Sequence, residues 1–160
     1  AVGCQEAGGH SSSTHGYVSG GNSGPSQDRI ERWAFASDGN SVDTTQNLLA
    51  IIKAYAGSAS STTHGYAAGG YVGSSSVNVI QKFQFDTSNH ATDVGDLTTG
   101  PASGTARNGS GTSSTTYGYR QGGWPSYRNE IEKWAFASDG NGTDVGDLSV
   151  GRSATGGTQA

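Results

Sequence analysis

Three short runs of apolar residues, separated by polar and glycine-rich segments, set the pattern of this chain. The runs are residues 30–35, 80–85 and 131–136. Successive side chains of a β-strand point to opposite faces, so Ile30 lies on one face while Trp33 and Phe35 lie on the other. Apolar residues on both faces are typical of a strand in a sheet packed between two others. We therefore expect the equivalent residues Trp33, Phe83 and Trp134 to pack between sheets.

Each run belongs to a longer repeat. The same 13-residue spacing joins its isoleucine to a closing aspartate, namely Asp43, Asp93 and Asp144. A Gly-Tyr-x-x-Gly-Gly motif precedes every copy, starting at Gly16, Gly65 and Gly118. Repeats of about 40–50 residues with four short strands each are typical of propeller blades. The competing helical repeat would show apolar residues at helical spacing, and only residues 48–55 leave room for a short helix or a buried strand.

The repeat predicts four antiparallel strands per blade. The Ser-rich and Thr-rich connectors at 1–15, 50–64 and 98–117 supply the first, innermost strand. The Gly-Tyr motif supplies the second strand and the apolar run the third. In the first and third copies an Asp-Gly hairpin signal follows, and in each copy an outer strand ends at or near Asp-Leu. The first copy is one residue longer there, which predicts a small bulge or a wider turn. The blades are residues 1–49, 50–97 and 98–148, and residues 149–160 begin a fourth in a single domain.

This order of motifs resembles the kelch repeat of β-propellers. In that family a double glycine ends the second strand and an aromatic residue sits in the third. The Asp-Val-Gly-Asp-Leu ending departs from the family, whose fourth strand usually contains tryptophan. The motifs at 91–97 and 12–17, Ala-Thr-Asp-Val-Gly-Asp-Leu and Ser-Ser-Thr-His-Gly-Tyr, are also similar to kelch-like arrays in virion and tail proteins of aquatic phages. The resemblance implies a virion or extracellular location.

Composition limits the possible partners. The formal net charge is −4, and the nine basic residues are not clustered, which argues against a nucleic-acid partner. No apolar run approaches the 18 residues of a membrane span. The apolar fraction of 31% is low for a folded domain, but aromatic residues recur in register, whereas disordered chains are poor in them. Propellers have four to eight blades, so we expect self-association or ring completion within a longer chain.

Acidic residues and histidines recur at equivalent positions of the repeats. The acidic pairs are Asp93 with Asp96 and Asp144 with Asp147, and the histidines are His15 and His64. A feature shared by every repeat usually serves the fold, and an aspartate readily accepts hydrogen bonds from turn amides. We therefore predict no catalytic residue, metal site or cofactor. The alternative uses of the acidic pairs are acid–base catalysis or calcium binding.

Function is expected where the copies differ most, in the loop after the double glycine. Trp124, Tyr127 and Arg128 place two aromatic rings and a cation on one loop, and Tyr71 begins the equivalent loop of the second repeat. Such a set suits carbohydrate stacking or a protein hot spot. The alternative is that Trp124 packs over its own blade.

The sequence therefore predicts a non-enzymatic binding or structural module that recognises a glycan or a protein surface, of the kind found in a phage virion or an extracellular adhesin. One alternative is a propeller enzyme that acts on glycans at the central axis. Another is a scaffold that serves oligomerisation alone.

Overall fold

The computed structural model describes residues 3–24, 27–49, 56–72, 74–98, 107–154 and 156–157, and within them every regular element is a β-strand. Sheet 1 contains β1 to β4, at Gly8–Ser11, His15–Ser19, Arg29–Ala34 and Val42–Asn47. Sheet 2 contains β5 to β8, at Gly57–Ser60, His64–Val72, Ser75–Gln84 and Thr92–Asp96. Sheet 3 contains β9 to β12, at Ser110–Ser113, Tyr117–Gly123, Arg128–Ala135 and Thr143–Asp147.

Each sheet is an antiparallel meander whose strands lie side by side in chain order. The prediction of an all-β chain with three four-stranded antiparallel sheets is confirmed. Most of the 48–55 segment and residues 99–106 lie outside the described residues. Along the described part of the chain, no helix is long and apolar enough to cross a membrane.

A β-bulge interrupts the regular pairing between the third and fourth strands of every sheet. The fourth strand has one extra residue at the bulge in sheets 2 and 3 and two extra residues in sheet 1. The longer first copy agrees with the larger bulge of sheet 1. The aspartate at each bulge accepts a hydrogen bond from the backbone amide two residues later, at Asp43, Asp93 and Asp144. These carboxylates therefore fix a turn, as expected of residues repeated in every copy.

The glycine of each Gly-Tyr pair lies beneath an aromatic ring. Gly16, Gly65 and Gly118 pair across the ladder with Trp33, Phe83 and Trp134 respectively. A Cβ on Gly118 would lie 2.4 Å from the indole of Trp134, and one on Gly65 would lie 2.3 Å from the ring of Phe83. Only glycine leaves room for a ring to lie flat across the neighbouring strand.

The three sheets stack in chain order, with sheet 2 between the other two. We call the face that carries Trp33, Phe83 or Trp134 the front face of its sheet, and the opposite face the back face. The back face of sheet 1 packs on the front face of sheet 2, where Tyr17, Ile30 and Phe83 share a buried cluster. The back face of sheet 2 packs on the front face of sheet 3 in the same way, through Tyr66, Ile80 and Trp134.

One tyrosine stacks on one phenylalanine at each of these two interfaces. The rings of Tyr17 and Phe85 lie 4.4 Å apart at 20°, and those of Tyr66 and Phe136 lie 4.7 Å apart at 24°. First strands also meet: the backbone amide of Ser60 donates to Oγ of Ser113. The repeated aromatic contact therefore sets how one sheet sits on the next.

The front face of sheet 1 is uncovered. Phe83 and Trp134 are 1% and 2% exposed, which confirms the prediction that they pack between sheets. Trp33, at the equivalent position, is 40% exposed, and Phe35 is 56% exposed. Ile30 is buried on the opposite face, so the predicted division of this strand is confirmed, but for Trp33 the expected packing between sheets is wrong within this chain because no sheet precedes it in the structure.

Candidate recognition surface

The loop that follows the double glycine of sheet 3 presents two aromatic side chains to solvent. Trp124 is 36% exposed and Tyr127 is 61% exposed. Their rings meet edge to face, with centroids 5.5 Å apart and planes at 87°. Ser126 and Tyr127 both have positive φ angles, of 78° and 48°, and this tight turn holds the Tyr127 ring against the indole. Trp124 is therefore not fully buried, and its packing over its own sheet stays an alternative prediction.

Arg107 connects these rings to Tyr71. The carbonyl oxygen of Arg107 accepts a hydrogen bond of 2.8 Å from the Trp124 backbone amide. The guanidinium carbon of Arg107 lies 4.6 Å from the centroid of the Tyr71 ring, which is a cation–π contact. Tyr71 belongs to sheet 2 and Trp124 to sheet 3, so one arginine links the two predicted residues across two sheets.

Arg128 has a different environment from the one that the sequence suggested. Its Nε donates to Oε2 of Glu130 at 3.0 Å, and its second nitrogen donates to the other carboxylate oxygen. Burial alone would raise the pKa of Glu130, but backbone hydrogen bonds and the Arg128 guanidinium hold that pKa below its usual value. The charge of Arg128 is thus balanced within its own strand, and Arg107 is the cation that lies over the Tyr71 ring.

We call Tyr71, Arg107, Trp124 and Tyr127 the aromatic rim. Arg107 was missed by the sequence analysis because it lies in a connector, far in sequence from the loop after the double glycine. The structure shows the same relation in the first repeat, where Gln5 pairs with Asn22 as Arg107 pairs with Trp124. A residue just before the first strand therefore faces the variable loop in both repeats.

A cavity of about 440 Å³ opens beside the first strands, close to the aromatic rim. The lining includes three residues with positive φ angles, Glu6, Asn108 and Ala154. They occupy equivalent positions of the repeats. Glu6 and Asn108 lie two residues before a first strand, and Ala154 lies two residues before Gly156, the counterpart of a first-strand residue. The remaining described lining is alanine, glycine and serine.

The other candidate polar residues have structural roles. Nδ1 of His15 lies 2.9 Å from the hydroxyl of Thr14, and Nδ1 of His64 lies 2.8 Å from that of Thr63. Each threonine lies in the turn between the first and second strands, and each histidine begins the second strand. Among the residues that the structure describes, no group of three His, Cys, Asp or Glu side chains comes together.

Comparison with known proteins adds no relative. No protein-family model matches the chain, and no curated protein matches it significantly. The kelch resemblance therefore stays a prediction that rests on the motifs themselves.

Proposed function

We propose that this protein is a non-enzymatic binding module of a virion or another extracellular surface, and that its aromatic rim recognises a glycan. The observation that carries the proposal is the exposed edge-to-face pair of Trp124 and Tyr127, joined through Arg107 to a third ring. Tryptophan and tyrosine combine a large apolar face with a polar edge. Such rings match a sugar, which has apolar C–H faces and hydroxyl edges.

We further propose that the sheets are blades of a kelch-like propeller. Three features support this arrangement: the period of about 50 residues, the four-stranded meanders, and the contacts between first strands of successive sheets. In a propeller the first strands line the axis, and the loops between second and third strands share one rim. Loops of neighbouring blades then converge on that rim, which is the geometry that a multi-contact glycan site needs.

Binding is favoured over catalysis by the chemistry of the cavity at the first strands. Glycoside hydrolysis generally uses two carboxyl groups on either side of the scissile bond. The described lining of the cavity supplies one carboxylate, Glu6. The exposed aromatic rings of the rim, in contrast, require no further group in order to bind.

A glycan array tests this proposal most directly. We expect the protein to bind a defined subset of glycans. The double variant Trp124→Ala with Tyr127→Ala should lose at least about tenfold in affinity, since aromatic anchors often carry about 2 kcal/mol or more each. Its melting temperature should change little, because exposed loop side chains contribute little to folding.

The matched control is Tyr117→Ala, which removes another exposed aromatic side chain at the opposite end of the second strand. This variant should keep glycan binding. Equal binding by the double variant and the control would contradict the proposal. Capture of a protein receptor without any glycan would also overturn it, in favour of a protein-binding surface, and turnover of a glycan substrate would favour the enzyme.

A further inference from the structure

The uncovered front face of sheet 1 is nearly the same surface as the covered front face of sheet 3. Residues 30–41 read IERWAFASDGNS and residues 131–142 read IEKWAFASDGNG. The two segments differ only at Arg32, where sheet 3 has Lys133, and at Ser41, where it has Gly142. In sheet 3 this segment contacts the back face of sheet 2, so the same residues in sheet 1 suit a similar back face.

The back face of sheet 3 provides such a surface. Its fourth strand and the following leucine, residues 143–148, read TDVGDL, which is identical to residues 92–97 of sheet 2. Tyr119 and Ile131 stand where Tyr66 and Ile80 stand in sheet 2. The valine of β12, Val145, is 47% exposed, whereas Val94 packs against the buried cluster between sheets 2 and 3. The back face of sheet 3 therefore resembles the back face of sheet 2, which is the surface that the front face of sheet 3 contacts.

Backbone hydrogen bonds of the internal interface involve the same identical segments. The amide of Gly140 donates to the carbonyl of Val94 at 2.7 Å, and that of Gly142 donates to the carbonyl of Asp96 at 2.8 Å. Gly39 and Ser41 are the corresponding donors on sheet 1, and Val145 and Asp147 are the corresponding acceptors on sheet 3. The loop at 38–41 is exposed, so its amides are accessible.

On the front faces of sheets 2 and 3, a polar side chain also accepts a hydrogen bond from a backbone amide just after the fourth strand of the preceding sheet. Oε1 of Gln81 accepts from the amide of Leu49 at 2.7 Å, and Oε1 of Glu132 accepts from the amide of Thr98 at 2.5 Å. Glu31 is the equivalent side chain in sheet 1, and its equivalent donor is Ser149. Both are accessible to solvent.

Charge is complementary across the two internal interfaces. Arg32 of sheet 1 contacts Asp86 of sheet 2 at 2.8 Å, and Lys82 of sheet 2 contacts Asp139 of sheet 3 at 2.5 Å. In each case a basic residue of the third strand meets an aspartate in the next sheet's loop. Lys133 is the third basic residue in this series, and Asp38 is the aspartate equivalent to Asp139.

We propose that the front face of sheet 1 docks on the back face of sheet 3 of a second copy of this chain, head to tail. Tyr119 of one copy then stacks on Phe35 of the other, and Lys133 pairs with Asp38. Two copies bring together six sheets, which falls within the four to eight of closed propellers. The closed ring rests on the propeller arrangement proposed above, and in it both uncovered faces of each copy are buried.

Sedimentation equilibrium of the full chain without glycan tests this assembly. We expect twice the 16.2 kDa mass of one chain. Phe35→Glu should give the single-chain mass with unchanged circular dichroism, since this ring is exposed within one copy. Tyr127→Glu is the control, because it changes an equally exposed aromatic residue on the rim and should leave the double mass intact.

A charge exchange tests the direction of the contact. Asp38→Lys and Lys133→Asp should each weaken the dimer at least about tenfold, because each places like charges together at both interfaces. In an equimolar mixture of the two variants, the introduced lysine meets the introduced aspartate at one interface, and the unchanged Lys133 meets the unchanged Asp38 at the other. The mixture should therefore recover the double mass.

Several results would overturn the proposal. A single-chain mass for the unchanged protein at high concentration would do so, as would a series of larger masses, which indicates an open array. A dimer that persists in Phe35→Glu, or a mixture that fails to recover, would place the contact elsewhere. The rim variant Trp124→Ala with Tyr127→Ala should keep the double mass, so failure of assembly and failure of glycan recognition are separate results.

Discussion

The two interfaces between sheets share their aromatic contacts but differ in their buried polar groups. Between sheets 1 and 2, the ring of His10 meets that of Phe83 edge to face at 5.0 Å, and His10 also contacts the hydroxyl of Ser19. Between sheets 2 and 3, Arg120 and Glu132 form a buried ion pair with a nitrogen–oxygen distance of 3.6 Å. Stacked aromatic rings thus occur at both interfaces, whereas the buried polar contacts differ between them.

The largest expected loss of stability comes from removing a tryptophan ring that a neighbouring sheet covers, compared with removing the equivalent uncovered ring. Trp134→Ala should lower the free energy of unfolding by about 3–5 kcal/mol, as for other large aromatic side chains removed from a core. Trp33→Ala, measured in the Phe35→Glu background that we expect to be monomeric, should cost about 1 kcal/mol or less. Urea denaturation of both variants provides the comparison. Equal losses would show that coverage by a neighbouring sheet does not determine the contribution of this ring.

The buried ion pair should give the next largest effect. Burial lowers the pKa of Arg120, and the charge of Glu132 opposes that shift. Glu132→Gln leaves the guanidinium without its counter-charge, which for buried pairs costs about 3–5 kcal/mol. We expect the loss near the lower end of this range, because the amide oxygen can still accept hydrogen bonds.

Sheet 2 provides the control for this ion pair. It has Ala67 and Gln81 at the positions of Arg120 and Glu132. The double variant Arg120→Ala with Glu132→Gln reproduces that neutral combination and should recover much of the stability that the single variant loses. A double variant less stable than Glu132→Gln alone would mean that the arginine contributes chiefly through packing.

Acid should weaken the first interface before the second. Burial lowers the pKa of His10 from 6.5 to about 4, although its bond to the Ala59 carbonyl opposes the shift. Between pH 6.5 and 4 the unfolded chain binds more protons at this site than the folded chain does. The stabilisation is therefore complete above pH 6.5 and falls with decreasing pH, by up to about 3 kcal/mol in all. The equivalent residue facing sheet 3 is Ala59, which does not titrate. Burial also lowers the pKa of His64 at the second interface, but His64 is half-buried whereas His10 is fully buried.

Denaturant titrations at several pH values can measure this slope. In His10→Gln the part of the slope between pH 6.5 and 4 that His10 supplies should disappear. The remaining slope reports the carboxylates and His64, whose pKa is also lowered by burial. An unchanged slope in the variant would contradict the assignment of a neutral, buried His10.

The sequence predicts the repeated features well because each depends on local chemistry. The alternation around Ile30 and Trp33 places their side chains on opposite faces of β3, although only the face of Ile30 is covered within this chain. The repeated motifs also give the number and order of the strands in each sheet. Contacts that are particular to one repeat were missed. Arg107 reaches Tyr71 from a distant connector, and the pairing of Arg128 with Glu130 depends on rotamers that spacing does not specify. The proposed recognition surface consists of such non-repeated side chains, so it is harder to predict than the fold.

The three tryptophans lie in three different environments of this protein. Trp33 lies on the uncovered front face, Trp124 on the aromatic rim and Trp134 in the interior. An isotope-labelled spectrum of the indole N–H groups should therefore contain one signal for each environment, and single Trp→Phe variants can assign them.

The most direct test of the account is to titrate this labelled protein with a glycan that the array identifies. We expect the Trp124 signal to move with saturation while the signals of Trp33 and Trp134 stay in place, because the ligand contacts the rim alone. A glycan that shifts the Trp33 signal and leaves that of Trp124 unchanged would contradict the account, since recognition would then lie on the front face of sheet 1.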